Sequence, residues 1–143
     1  MKLSDTLNVV LRQCRADGVP MRPPRPEGEV RAMLQATGRK VSRDVIELYC
    51  ATDGMEDGGM DSHCWSLWPL EKLLAENAAH SRPHILFSDF LIHSYAYCFD
   101  WRSEDESSVR LELWDGNEPR QVAGSLHRFF ELYLTRPEAL ELF

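Results

Sequence analysis

Leu3, Leu7, Val10, Leu11 and Cys14 recur at spacings of three and four, which places them on one face of an amphipathic helix that should end near Gly18. Val19 to Pro26 then carries Pro20, Pro23, Pro24 and Pro26. Prolines lack the backbone donor that helices and sheets use, so this stretch reads as a semi-rigid connector running over the surface. Pro26 opens a second helix, in which Glu27 and Glu29 suit the positive end of the helix dipole and Val30, Met33 and Leu34 form the buried stripe up to Gly38. Ser42 stands as N-cap of a third helix, with Val45, Leu48, Tyr49 and Thr52 on one face, Ile46 on its shoulder and a stop at Asp53-Gly54. From Gly54 to Asp61 the chain is a polar, glycine-rich loop. His63 to Trp68 reads as a short aromatic strand, and Pro69 starts a fourth helix with Leu70, Leu73 and Leu74 inward.

After Ser81-Arg82-Pro83 the period changes to two. Ile85 and Phe87 alternate with Leu86, and His93, Tyr95, Tyr97 and Phe99 alternate with Ser94, Ala96, Cys98 and Asp100, which predicts two strands. A polar turn over Arg102 to Ser108, tipped by Glu104, Asp105 and Glu106, joins the second of these to Val109, Leu111 and Leu113 as a hairpin. Asp115-Gly116-Asn117 is a further turn and Val122-Ala123 closes another short strand. Ser125 caps a C-terminal helix carrying Leu126, Phe129, Phe130 and Tyr133 inward, with a break at Pro137. The order predicts a single α+β domain: a mixed, mostly antiparallel sheet of about five to six strands, with N-terminal helices and a C-terminal helix packed against it. Residues 1–26 form its leading helix and connector, and residues 27–143 its body.

Charge sharpens the picture. The 143 residues carry a formal net charge of -7, but residues 1–43 hold nine Lys and Arg against four acids, a balance of +5, while residues 44–143 hold seven against nineteen, a balance of -12. So acidic a body disfavours direct nucleic-acid binding, which rests on clustered Lys and Arg, and favours a basic protein partner. No stretch reaches the roughly 18 apolar residues a membrane span needs, and Met1-Lys2-Leu3-Ser4-Asp5-Thr6 turns polar at once, so a soluble, unprocessed, cytoplasmic chain with no membrane partner is expected. Cys14, Cys50, Cys64 and Cys98 show no CxxC pair and are read as reduced thiols, with a disulfide between two of them left open.

Few residues carry catalytic signals. Asp53, Glu56, Asp57 and Asp61 could offer oxygens to a hard cation, but Met55 and Cys64 stand where an EF-hand loop needs ligands. His63-Cys64 has no second Cys or His at zinc-ligand spacing, and Ser125 lacks the glycines of a nucleophile elbow. No metal and no cofactor are expected. Trp65 and Trp68, three apart on a strand, should face opposite sides with at least one in the core. Trp101, read as lying just past its strand and next to Glu104, Asp105 and Glu106, is the best candidate for an exposed aromatic anchor. Trp114 is expected opposite Val109, Leu111 and Leu113.

Several segments resemble, in order, the SUKH superfamily, the fold of many bacterial toxin-immunity proteins and a fungal regulator of cell-wall synthesis. They are Asp44 to Tyr49 leading into Thr52-Asp53-Gly54-Met55, Leu67-Trp68-Pro69-Leu70-Glu71, Ile85 to Asp89 followed by Tyr95 to Asp100, and Val122 to Leu126 followed by Phe129 to Leu134. The chain departs from that pattern at Val41-Ser42, where the family has Leu-Pro, and at Asp53-Gly54-Met55, which lacks the family's Asn and second Gly. The resemblance implies a non-enzymatic protein-binding role. With the -12 body it leads to the expectation of an immunity protein that occludes a basic, nucleic-acid-targeting toxin through Asp53, Glu56, Asp57, Asp61, Trp101, Glu104, Asp105 and Glu106. A regulatory scaffold of the same fold and a metal-dependent hydrolase stand as the alternatives, and the oligomeric state is open.

Overall fold

A computed structural model describes residues 1–56 and 59–142. The apolar stripe of Leu3, Leu7, Val10, Leu11 and Cys14 turns inward from α1 (Leu3–Ala16), which packs against α3 (Arg43–Ala51) and α5 (Leu126–Thr135). The N-terminal helix is therefore part of the main core, joined to it by Thr6 Oγ1 against His127 Nε2 (2.9 Å) and by Cys14 Sγ near the Tyr133 hydroxyl (3.8 Å). Helix α2 (Glu27–Gln35) buries Val30 and Leu34 between α3 and α4 (Leu70–Asn77). Among the described residues no helix is long and apolar enough to cross a membrane.

The strands are β1 (Trp65–Leu67), β2 (Ile85–Phe90), β3 (Tyr95–Trp101), β4 (Ser107–Glu112) and β5 (Arg120–Ala123). They form one meander in the order β1-β2-β3-β4-β5, and every pair is antiparallel, so the sheet has the lower of the expected strand numbers and no parallel pairing among the described residues. The short connections from β2 through β5 leave no room for the crossover that a parallel pair needs, whereas the β1–β2 connection carries α4 and still returns antiparallel. A bulge at Phe87 interrupts the β2–β3 register. Phe87 lies on the helical side of the sheet, where its ring stacks on Phe99 at 3.9 Å. Ile85, Phe87, Tyr97, Phe99, Val109, Leu111 and Ala123 form the inner face beneath α5. Leu86, Ala96 and Cys98 point outward and, with Trp68, make a separate small apolar cluster. The chain closes with a 3-10 turn (Pro137–Leu140) whose Leu140 carbonyl accepts the Tyr97 hydroxyl.

The structure corrects the reading of the connector. Residues between its prolines do supply backbone groups: Arg22 N–H donates to Gly54 O (2.8 Å), Asp53 N–H to Arg22 O (3.3 Å) and Glu56 N–H to Pro20 O (2.8 Å), and Met21 forms an antiparallel bridge with Met55. The segment works as an extra strand fragment rather than a loose strap. Gly54 makes this possible, because it sits at φ +83° and a Cβ there would come within 2.7 Å of the Trp68 carbonyl group. Ser42 stands at the start of α3, but its hydroxyl donates to Asp44 Oδ1 (2.5 Å) and meets Ser107 Oγ (2.6 Å) instead of capping. Ser125 caps α5 as expected, accepting from Arg128 N–H (3.0 Å).

β1 is only three residues long, and past the bond from Trp68 N–H to Phe87 O (3.0 Å) it leaves the start of β2 without a strand neighbour on that edge. The Asn77 side chain fills the gap: its amide donates to Leu86 O (2.8 Å) and Leu73 O (2.7 Å), and its Oδ1 accepts from Leu86 N–H (2.8 Å). One buried carboxamide thus does the work of a strand and fastens α4 to the sheet. Asn77→Ala strips both partners from Leu86 and should lower the free energy of unfolding by about 2–3 kcal/mol, read as a shift in the urea midpoint with unchanged slope.

Candidate partner-binding surface

Asp53 and Asp61, expected on an acidic surface, are both buried. Asp53 Oδ1 accepts from Leu70 N–H (3.0 Å), in the first turn of α4, where Pro69 has no donor or capping side chain to offer. Its Oδ2 takes Arg25 Nε at 3.1 Å and Arg22 Nη2 at 3.4 Å. Arg25 also spans Glu29 and Glu71, each at 2.6 Å. Asp61 Oδ1 accepts from the N–H groups of His63 (2.8 Å) and Trp65 (3.0 Å), and its Oδ2 accepts from the Tyr133 hydroxyl (2.5 Å). Burial, reinforced by the Asp61 charge, pushes the Tyr133 hydroxyl far above the ordinary phenol range. These two carboxylates are internal caps, and neither can face a partner. Glu56 is exposed on the loop, while Asp57 lies outside the described residues.

Trp101 is also placed differently. It is the last residue of β3, paired with Ser107 and half-buried, with Lys40 Nζ 4.4 Å from its ring centre. Glu104, Asp105 and Glu106 are exposed beyond it. Their hairpin tip folds back on α3: the carbonyls of Glu104 and Asp105 accept Arg43 N–H (2.8 Å) and Asp44 N–H (3.2 Å), and Arg43 pairs with the Asp105 carboxylate at 2.9 Å. The tip thus replaces the cap that Ser42 does not provide. It lies at the N-terminal end of α3, whereas Asp53 and Glu56 follow the other end, nine residues or roughly 13 Å away. The expected acidic residues do not converge on one face.

Two further clusters lie on the outer side of the sheet, one holding His80 and His84 and the other His93. In the first, Arg82 reaches the buried Glu112 at 2.5 Å, Arg110 pairs with Asp100 at 2.9 Å, and His80 and His84 stand with ring centres 5.5 Å apart. His80 Nδ1 accepts from Arg82 N–H (3.2 Å), while its Nε2 meets Asn77 Oδ1 at 3.2 Å, an arrangement that needs a neutral imidazole with its proton on Nε2. Burial, with Arg39, His84 and Arg82 adding to it, pulls His80 down to about 4. Burial and then Arg82 also lower His84, whose Nε2 has no hydrogen-bond partner among the described residues.

In the second cluster, Trp68 Nε1 donates to Asp89 Oδ2 (3.1 Å), and His93 packs on the Trp68 ring with Nε2 3.5 Å from Asp89 and 3.8 Å from Glu76. His93 belongs to the β2–β3 turn, in which Leu91, Ile92 and His93 all have left-handed backbones (φ 47°, 50° and 64°). Trp114, just past β4, is left-handed as well (φ 57°), and its Nε1 donates to His93 O (3.2 Å). Each such conformation costs about 1–2 kcal/mol in a bulky residue. Trp114 therefore does not continue the β4 alternation expected for it. The period-two pattern carried His93 and Ser94 into the second strand, but they belong to the turn before it, and with no Gly or Asn there the left-handed run cannot be read from residue type.

Among the described residues, no group of three or more His, Cys, Asp or Glu side chains is placed to hold a metal ion. No family model and no curated protein matches the chain.

Two outcomes follow from this geometry. Asp53→Ala strands two arginines and the α4 N-terminus, and should destabilise the fold by about 3–5 kcal/mol in chemical denaturation. Because His80 and His84 titrate lower in the folded chain than unfolded, the unfolded state takes up more protons as pH falls, and stability is lost from roughly pH 6.5 down to about 4. His80→Gln with His84→Gln should flatten the fall of melting temperature across that window.

Proposed function

We propose that the chain is a non-enzymatic protein-binding domain of the immunity type, which neutralises a basic, nucleic-acid-targeting effector by covering it. The observation that carries this reading is the disposition of the carboxylates. Asp44, Asp53, Asp61, Asp89 and Glu112 are buried and each already holds an internal donor, so they serve the scaffold. The acids that face water include Glu47, Glu56, Asp115, Glu118 and Glu138, in a chain of net charge -7. An acidic surface on a rigid sheet-and-helix frame suits fast encounter with a cationic protein and exclusion of that protein's anionic substrate. The resemblance of the segments from Asp44 to Leu134 to the SUKH superfamily supports the same reading.

The test is co-expression with the product of the adjoining gene. Growth arrest by that product alone, relief by this chain, and a one-to-one complex whose association slows roughly tenfold or more as salt is raised are expected. A neighbour that is neither toxic nor bound overturns the reading. Several partners recovered at sub-stoichiometric levels would assign the chain to a regulatory scaffold instead.

A further inference from the structure

Four large apolar side chains stand exposed together where the β2–β3 turn meets the end of β4: Ile92 is 75% exposed, Leu91 48%, Trp114 46% and Leu113 44%. Apart from Met1, these are the exposed large hydrophobics among the described residues. Scattered single apolar residues on a surface mean little, but here the bond from Trp114 Nε1 to the His93 carbonyl ties the end of β4 to the turn that carries Leu91 and Ile92, so that they share one surface. The backbone beneath them strengthens the case. Leu91, Ile92 and Trp114 occupy left-handed conformations that Gly or Asn would adopt with little strain. Bulky side chains at such positions make the free domain less stable than it could be, and the core gains nothing from side chains that point into water.

The border of the patch is acidic. Asp115 follows Trp114 in the chain, and Glu76, partly exposed, stands 3.8 Å from His93 Nε2. Against them stands Lys72, over the Trp68 ring at 5.3 Å, while Glu112 is matched by Arg82. The acidic hairpin tip lacks this combination, since Lys40 lies over its aromatic residue and Arg43 pairs with Asp105.

We infer that this end of the sheet, centred on Ile92 and Trp114, is the docking surface of the domain, and that its occupant is a basic protein surface that buries an apolar anchor against Trp114 while its cations meet Glu76 and Asp115. The inference rests on the protein-binding reading proposed above and names the face through which it acts. Desolvated aromatic residues ringed by polar groups are where binding energy concentrates, and an acidic rim selects for a cationic partner.

The experiment measures the affinity of the full chain for its effector together with the melting temperature of each variant. Trp114→Ala and Ile92→Gly should each weaken binding by about tenfold or more. Ile92→Gly should do so while melting at or above the wild-type temperature, because it relieves a left-handed isoleucine; a merely structural residue would not separate the two readouts. Wild-type affinity in both folded variants overturns the assignment of this face and leaves the protein-binding reading standing. Loss of binding confined to Glu104→Gln with Glu106→Gln moves the contact to the hairpin tip and overturns it equally. Patch variants that change only self-association in sedimentation give the patch to a second copy of the chain. A wild-type chain that binds no basic effector overturns both proposals.

Discussion

The Asp53 carboxylate, buried where the connector, the end of α3 and the start of α4 meet, is the interaction on which most of the architecture depends. A carboxylate out of water must be surrounded by donors, and the three it has come from two separate parts of the chain: Leu70 N–H from α4, and Arg22 and Arg25 from the connector. Meeting that single requirement orients α4 and pins the connector to the body. Once α4 is oriented, Asn77 at its far end can replace the missing part of β1 along β2. The exposed edge of β2 is thereby closed by a side chain, and the outer sheet face acquires a fixed border.

The same contacts change the meaning of the charge distribution. A basic N-terminal lobe and an acidic body look like two surfaces for two kinds of partner. In the fold five of the lobe's nine cations turn to the body: Arg22 and Arg25 go to Asp53 and Glu71, Arg43 to Asp105, Lys40 lies over Trp101, and Arg39 caps the end of α4 through the carbonyls of Asn77 and His80. Two of the acids chosen from composition are therefore internal, and the acidic hairpin tip is tied down by its own backbone at the head of α3. On the outer side of the sheet, polar pairs surround a small apolar cluster, and left-handed turns leave bulky side chains exposed.

Local sequence determined a large part of this protein. The stripe from Leu3 to Cys14, the alternation from Tyr95 to Asp100 and the Ser125 cap are each written in residues three to four or two apart, because helix and strand periods are properties of neighbouring positions. The α+β class and the succession of elements followed from them. Tertiary structure decided what no local window holds. Asp53 and Glu56 are three residues apart, yet one is buried under two arginines and the other faces water. Asn77 reads as an ordinary helix end, and its role exists because β1 stops short of it. Ile92 and Trp114 are twenty-two positions apart and share a surface only through the pairing of β2, β3 and β4. Burial and charge pairing depend on which distant segments arrive at the same place, so local periodicity was enough for the elements, while the folded arrangement decided which side chains are buried, paired or exposed.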